Sequence, residues 1–330
     1  MKRIMAFAAT SMVAVAALAG CSMDSPANSP AAGSADSSCK GAKIAYITSA
    51  TSVSFWRSLS LGIKDAAEEK DATVTDYDSD NSQGKQLQNA QDAITSGVDL
   101  IIFSPTDSAS APAVLDVAEE AGVPVVIADI GTEEGEYVSL IKTDNTAAAQ
   151  EAGEYLVEQL QAAGHSSGDI AIIGISQTRQ NGKDRTAGFS KPVEEAGYTI
   201  VPLLESADYT RSESLGFTQD LLAGNPDLIG LFTQHDEATQ GAQTALDGAD
   251  EPIAVGFDGS PDTLQSLKDG TLAGAAMQQP VLMGQKAFST ACSFLDGEKV
   301  EKEVTVETIL VTRENVLEIE SDVQDTVFKE

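Results

Sequence analysis

The chain has 330 residues, among them three cysteines, two histidines and one tryptophan, and it carries 51 acidic against 20 basic side chains, a net charge of −31 at pH 7. So acidic a surface repels phosphate backbones and anionic headgroups, which excludes nucleic acid and direct lipid adsorption as partners. The excess acid is spread along the chain rather than gathered in a tail, as on a solvated surface.

Taken in chain order, residues 1–20 read as an export leader. Lys2 and Arg3 precede an apolar stretch from Ile4 to Leu18, and small residues stand before Cys21. The stretch is about 15 residues long and contains Thr10 and Ser11, short of the roughly 18 that span a bilayer. Leu18-Ala19-Gly20-Cys21 resembles the lipobox of bacterial lipoproteins, in which the cysteine becomes the lipid-carrying N-terminus. That implies an extracytoplasmic protein anchored to the cell membrane through Cys21. Cleavage there removes two cations and no acid, taking the charge from −31 to −33. Residues 21–42 are then assigned to a linker, because the Ser, Ala, Pro, Asn, Asp and Gly of its first part bury too little apolar surface to offset ordering entropy. About twenty such residues reach roughly 25 Å. An exported chain can keep disulfides, so Cys39 and Cys292 are open to two readings, a bridge or two separate thiols.

From Lys43 onward, strand-like runs alternate with helix-length segments. The runs are 43–48, 73–77, 100–104 and 124–128, and then 137–141, 169–175, 199–204, 228–232 and 252–257. Strands separated by helices predict parallel sheets wound by right-handed crossovers. A body of about 290 residues is large enough for two such domains. The fold class expected is therefore α/β, two doubly wound parallel-sheet domains. Ligands of such sheets bind beyond the carboxyl ends of the strands, so a cleft between the two is the place to look.

Enzyme signatures are weak. No Gly-rich dinucleotide fingerprint follows the first strand, no phosphate loop ends in Gly-Lys-Ser/Thr, and no Gly-x-Ser-x-Gly elbow occurs. His165 and His235 have no paired cysteines to complete a zinc site, and His165 reads as a solvated loop residue. Asp76, Asp78, Asp80 and Asn81 alternate like a calcium loop, but the twelfth position is Leu87 where a glutamate is needed, so a polar turn is expected. No enzyme, cofactor or metal is expected.

The stretches IAYITSATSVSFWRSLSLGI (44–63), IIFSPTDSASAPAVL (101–115), VPVVIAD (123–129), IKTDN (141–145), LFTQHDEATQGA (231–242) and VGFDGSPD (255–262) together resemble the type I periplasmic binding proteins of the ribose-binding group. The resemblance runs from about Lys43 to about Thr312. It implies two lobes joined by a three-strand hinge, with crossings near Thr143–Asp144, Met277–Gln278 and Val304–Thr305. The first lobe would comprise 43–143 plus 278–304, and the second 144–277 plus 305–330. It further implies a monomer that closes on a monosaccharide or polyol and delivers it to the permease subunits of an ABC importer.

Carried over by position, the sugar contacts fall on Ser49, Phe55, Trp56, Asp129, Lys183, Tyr209, His235, Asp258 and Gln278. The chemistry suits that role, since aromatic rings cover the C–H faces of a sugar while carboxylates and amides serve its hydroxyls. Plainer readings stand beside it: a core pair for Phe55 and Trp56, turns or caps for Asp129 and Asp258, a helix cap for His235. The family's pattern would have an asparagine at Val53, arginines at Ile130 and Lys183, and an asparagine at His235. Two lost guanidinium forks argue against ribose itself. Gln177, Arg179 and Asn181 share a loop with Lys183 and are candidate replacements. A sugar sensor that presents its ligand to a chemoreceptor or sensor kinase is the alternative function.

Overall fold

The computed structural model describes residues 39–201, 203–246 and 252–329. The export leader, the linker up to Ser38 and Cys21 lie outside the described residues. Residues 39–42, assigned to the linker on composition, belong instead to the folded body. Cys39 is fully buried and bonded to Cys292 with their Cα atoms 4.9 Å apart, and Gly41 donates to the carbonyl of Asp71.

The first lobe is a six-stranded, all-parallel sheet. In spatial order its strands are β12 (Glu303–Val306), β5 (Ser139–Thr143), β4 (Val125–Ala128), β3 (Leu100–Phe103), β1 (Lys43–Thr48) and β2 (Thr73–Asp78). Both faces are covered, which is why the inner strands are continuous apolar runs rather than alternating ones. Ile44 and Tyr46 face α1 (Ser54–Glu68) and α9 (Pro280–Leu295), while Ala45 and Ile47 face α2 (Gln83–Thr95) and α3 (Ala111–Glu120).

The second lobe repeats the plan with seven strands. Its path is β13 (Ile309–Thr312), β11 (Gly274–Met277), β10 (Ile253–Phe257), β9 (Leu228–Thr233), β6 (Asp169–Gly174) and β7 (Thr199–Ile200), with β8 (Leu204–Glu205) also on β6. The β11–β13 pair is antiparallel and the others are parallel. Helices α4 (Asn145–Ala162) and α5 (Gln180–Glu195) cover one face. The other carries α6 (Arg211–Gly224), α7 (Asp236–Ala245), α8 (Pro261–Asp269) and α10 (Val316–Thr326). The run 199–204, expected as one strand, holds the two short strands Thr199–Ile200 and Leu204–Glu205 instead.

The chain crosses between sheets after β5, after β11 and after β12. The third crossing lies at 307–308, later than the sequence expectation of 304–305. Thr305 and Val306 still pair with Lys142 and Thr143 in the first sheet, so the lobe boundary shifts with them.

Candidate ligand-binding cleft

A cavity of about 250 Å³ lies between the lobes, walled by residues that follow the carboxyl ends of strands in both sheets. At that volume it takes one small molecule rather than a drug-sized one.

The first turn of α1 brings Phe55 and Trp56 to one side of it. Their rings meet edge to face with centroids 4.8 Å apart, and both also belong to the core of the first lobe. The core reading and the cleft reading thus hold together. Val53 and Ile130 extend this side as apolar wall.

Asp129 and Asp258 are the first residues past β4 and β10, with φ of +72° and +69°. Aspartate tolerates this left-handed turn better than most side chains. Both carboxylates line the cavity and both are buried. Burial pushes the Asp129 carboxyl up to about 6, with the Asp258 charge adding to the rise and the Arg185 and Arg179 guanidiniums opposing it. Asp258 is likewise raised by burial against the pull of Arg185. Its Oδ1 accepts from Gln278 Nε2 at 2.6 Å, and its carboxylate also accepts the Asp236 N–H at the start of α7.

Arg185 is the most deeply buried of the three arginines that line the cavity, with Arg179 and Arg211. It is 2% exposed, lies over the Phe257 ring at 3.8 Å, and its Nη1 stands 3.7 Å from Asp258 Oδ2. Nε donates to Asn145 Oδ1 at 2.8 Å and Nη1 to the Gln234 carbonyl at 2.6 Å, which fixes the fork in position. Burial pulls its pKa down while Asp258 and Asp129 hold it up.

Two of the expected contacts sit elsewhere. Lys183 is exposed and does not line the cavity. On α5 the buried stripe runs Asn181, Arg185, Phe189, and a residue two positions from Arg185 falls on the opposite face. The expectation that lysine replaces a guanidinium here is therefore corrected. Ser49 is buried beneath the site, where its Oγ donates to the carbonyls of Pro105 at 2.8 Å and Ser104 at 3.2 Å. It holds a loop instead of lining the cavity.

His235 does reach the cavity but has spent its polar atoms. Nδ1 accepts from the Ala238 N–H at 3.3 Å as the cap of α7, and Nε2 pairs with Ser206 Oγ at 3.1 Å. These bonds assign the proton to Nε2. Burial, helped by Arg185 and Arg179, lowers the imidazole to about 3, so it stays neutral. With both ring nitrogens engaged by the protein, it lacks the free donor and acceptor expected of it as a hydroxyl partner. Beneath it Asp236 is pushed up to about 7 by burial, and its Oδ1 accepts from Thr263.

Tyr209 lines the second-lobe side at φ +53°, its OH accepting from the Ser176 N–H at 3.2 Å. Gln278 is buried at the second crossing; among the described residues its Oε1, Asp129 Oδ1 of the first lobe and Asn181 Oδ1 of the second are buried acceptors with no donor, on residues that line the cavity. Arg179 and Asn181 line the cavity, whereas Gln177 does not. Asn81, expected only as part of a turn, lines it too. The neighbouring acids serve the fold, with Asp76 held by Lys64 and Ser60 and Asp78 by Thr51.

Two doubly wound lobes, crossed three times by the chain and enclosing a small polar and aromatic cavity at their strand ends, define a two-lobed solute-binding architecture. The chain belongs to the periplasmic binding protein family, whose periplasmic binding protein domain matches residues 44–299. Within it the chain is a type I member of the ribose-binding group. It is 33% identical over 273 residues to the ribose import binding protein of Escherichia coli (strain K12), covering 82% of this chain and 90% of that one. Among solved structures it is similar to a carbohydrate transporter solute-binding protein from Agrobacterium radiobacter in complex with D-arabinose, at 26% identity and TM-score 0.79, covering 85% of this chain and 98% of the other. An ABC transporter solute-binding protein from Mycobacterium smegmatis with bound glycerol is 28% identical at TM-score 0.79, covering 88% and 99%.

Proposed function

We propose that the chain is the substrate-binding component of a carbohydrate ABC importer, taking one neutral monosaccharide or polyol into the interlobe cleft and passing it to the permease as the hinge opens. It captures and performs no chemistry on its ligand. The observation that carries this reading is the lining of the cavity, where the Phe55, Trp56 and Tyr209 rings stand among the polar residues Asn181, Asp129, Asp258 and Gln278, and where, among the described residues, Asp129 Oδ1, Gln278 Oε1 and Asn181 Oδ1 are buried acceptors without a donor. Orphaned acceptors are costly unless something donates to them, and a polyhydroxylated ligand brings donors with apolar faces between them. An anion would meet these acceptors with repulsion. The relatives' ligands, ribose, D-arabinose and glycerol, are all of the neutral class.

Arg185 supplies a fork that Lys183 would have lacked, which removes half of the argument against ribose; Ile130 and Val53 keep the other half, an apolar rim suited to a deoxy sugar. D-Ribose, D-arabinose, a deoxyhexose, myo-inositol and glycerol therefore form the panel. The mature protein is screened by thermal shift and hits are titrated through Trp56, the single tryptophan. A ligand at a hundred times its Kd adds about 2.7 kcal/mol of stability. Stabilisation by an amino acid or peptide, with none by any carbohydrate, would sink the reading. Asp258→Ala is expected to abolish binding of the hit while the far-ultraviolet spectrum is kept, and retained affinity removes Asp258 from the site. Cys21 as the anchor is tested by mass spectrometry of the membrane-bound protein, with Cys21→Ser expected in the soluble fraction.

A further inference from the structure

Three consecutive residues of the second lobe reach across the cleft to the first. Thr178 Oγ1 donates to Asp107 Oδ2, Arg179 Nε donates to the Thr106 carbonyl at 2.8 Å, and the Gln180 N–H donates to Ser108 Oγ at 3.3 Å. Arg179 adds a second prong, Nη2 to Asn81 Oδ1 at 3.0 Å. Its guanidinium lies 4.4 Å from the centroid of the Tyr209 ring on its own lobe, and the side chain is 8% exposed. Among the described residues it forms no ion pair, so its charge is served by two neutral acceptors of the opposite lobe and one aromatic face. Both acceptors are lost when the lobes part, and only water can replace them.

We infer that Arg179 is a positioning residue, a clasp that stabilises the closed arrangement of the lobes by itself and so sets affinity through closure rather than through recognition of the ligand. A clasp of this kind biases one equilibrium common to every ligand. Its loss weakens all ligands by the same factor and leaves their ranking intact. A residue that reads the ligand would change the ranking instead. Asp107 and Thr178 stand outside the cavity, which makes them a test of the clasp that leaves the cavity wall untouched. The affinity arm rests on the cleft being the ligand site, whereas the scattering arm needs no ligand and stands or falls alone.

The test compares mature wild type, Arg179→Ala and the double variant Asp107→Ala/Thr178→Val by small-angle X-ray scattering without ligand. The clasp predicts a larger radius of gyration in both variants. Curves that superimpose on wild type overturn it. Two members of the sugar panel that bind wild type are then titrated into each variant. The expected result is a Kd raised by the same factor for both, about tenfold for the loss of two charge-assisted bonds in Arg179→Ala, carried in the dissociation rate. Unequal factors would make Arg179 a ligand-reading residue and overturn the proposal.

Discussion

Asp129 and Asp258 occupy equivalent places, one per lobe, and the same left-handed turn aims both carboxylates at the cleft. Their electrostatics lead to a pH prediction. Ligand hydroxyls donating to Asp129 favour its ionised form, while burial in the free protein holds its pKa near 6. Below that value binding has to expel a proton, so Kd should rise about tenfold per pH unit as pH falls from 6 towards 4.5. Titrations through Trp56 at several pH values check this, with Asp129→Asn as the variant that binds weakly and without the slope. His235, lowered to about 3, stays neutral throughout and adds nothing to the profile. At this scale much was legible: a residue just past a central strand of a parallel sheet, with an aspartate's tolerance of positive φ, is a cleft residue by position. Arg185 was missed for lack of helical phase. Counting back four residues from the core Phe189 reaches Arg185 and then Asn181, and it sends Lys183 to solvent. The capping of α7 by His235 was foreseen as the plainer reading, but that Ser206 would take the other ring nitrogen depended on a contact from 29 residues away.

Among the elements, each lobe has a close crossing of two helices with a glycine on both. A Cβ on Gly62 of α1 would stand 2.0 Å from the Val281 carbonyl oxygen of α9, and one on Gly284 of α9 would stand 2.2 Å from the Leu59 carbonyl oxygen of α1. In the second lobe Gly153 of α4 and Gly188 of α5 meet the opposing backbone at 2.8 and 2.2 Å. Backbone cannot yield as a side chain end can, so Gly62→Ala forces the helices apart at a cost of about 1–3 kcal/mol. Gly216 in α6 has open space around its Cβ position, and Gly216→Ala should stabilise by about 0.5–1 kcal/mol through the unfolded chain. Thermal melts of the two variants should therefore move in opposite directions. The alternation of runs and helices disclosed the parallel sheets. The end of β12 was beyond its reach, since Thr305 and Val306 belong to the first sheet only by virtue of partners more than 160 residues earlier in the chain.

For the molecule as a whole, the Cys39–Cys292 bridge joins residues 253 apart in sequence, a loop that takes in β1 to β11 and so most of both sheets. Replacing both cysteines by serine should lower stability by about 2–5 kcal/mol through the freedom returned to the unfolded chain. Sugar affinity should be unchanged, because neither cysteine lines the cavity. Denaturation with and without a reductant, alongside the serine variant, measures the first, and titration of the same variant measures the second. Composition alone could not decide between a bridge and two thiols, since it carries no information on whether the Cα atoms approach.

The same bridge also fixes how the body answers to a pull. Cys39 lies beside the start of β1, at the pole away from the strand ends that wall the cleft, and there it joins the last turn of α9. That helix runs the depth of the first lobe, from Gln279, next to the cavity residue Gln278, down to Asp296. A force entering at residue 39 would thus be divided between a central strand and a helix rather than carried by β1 alone.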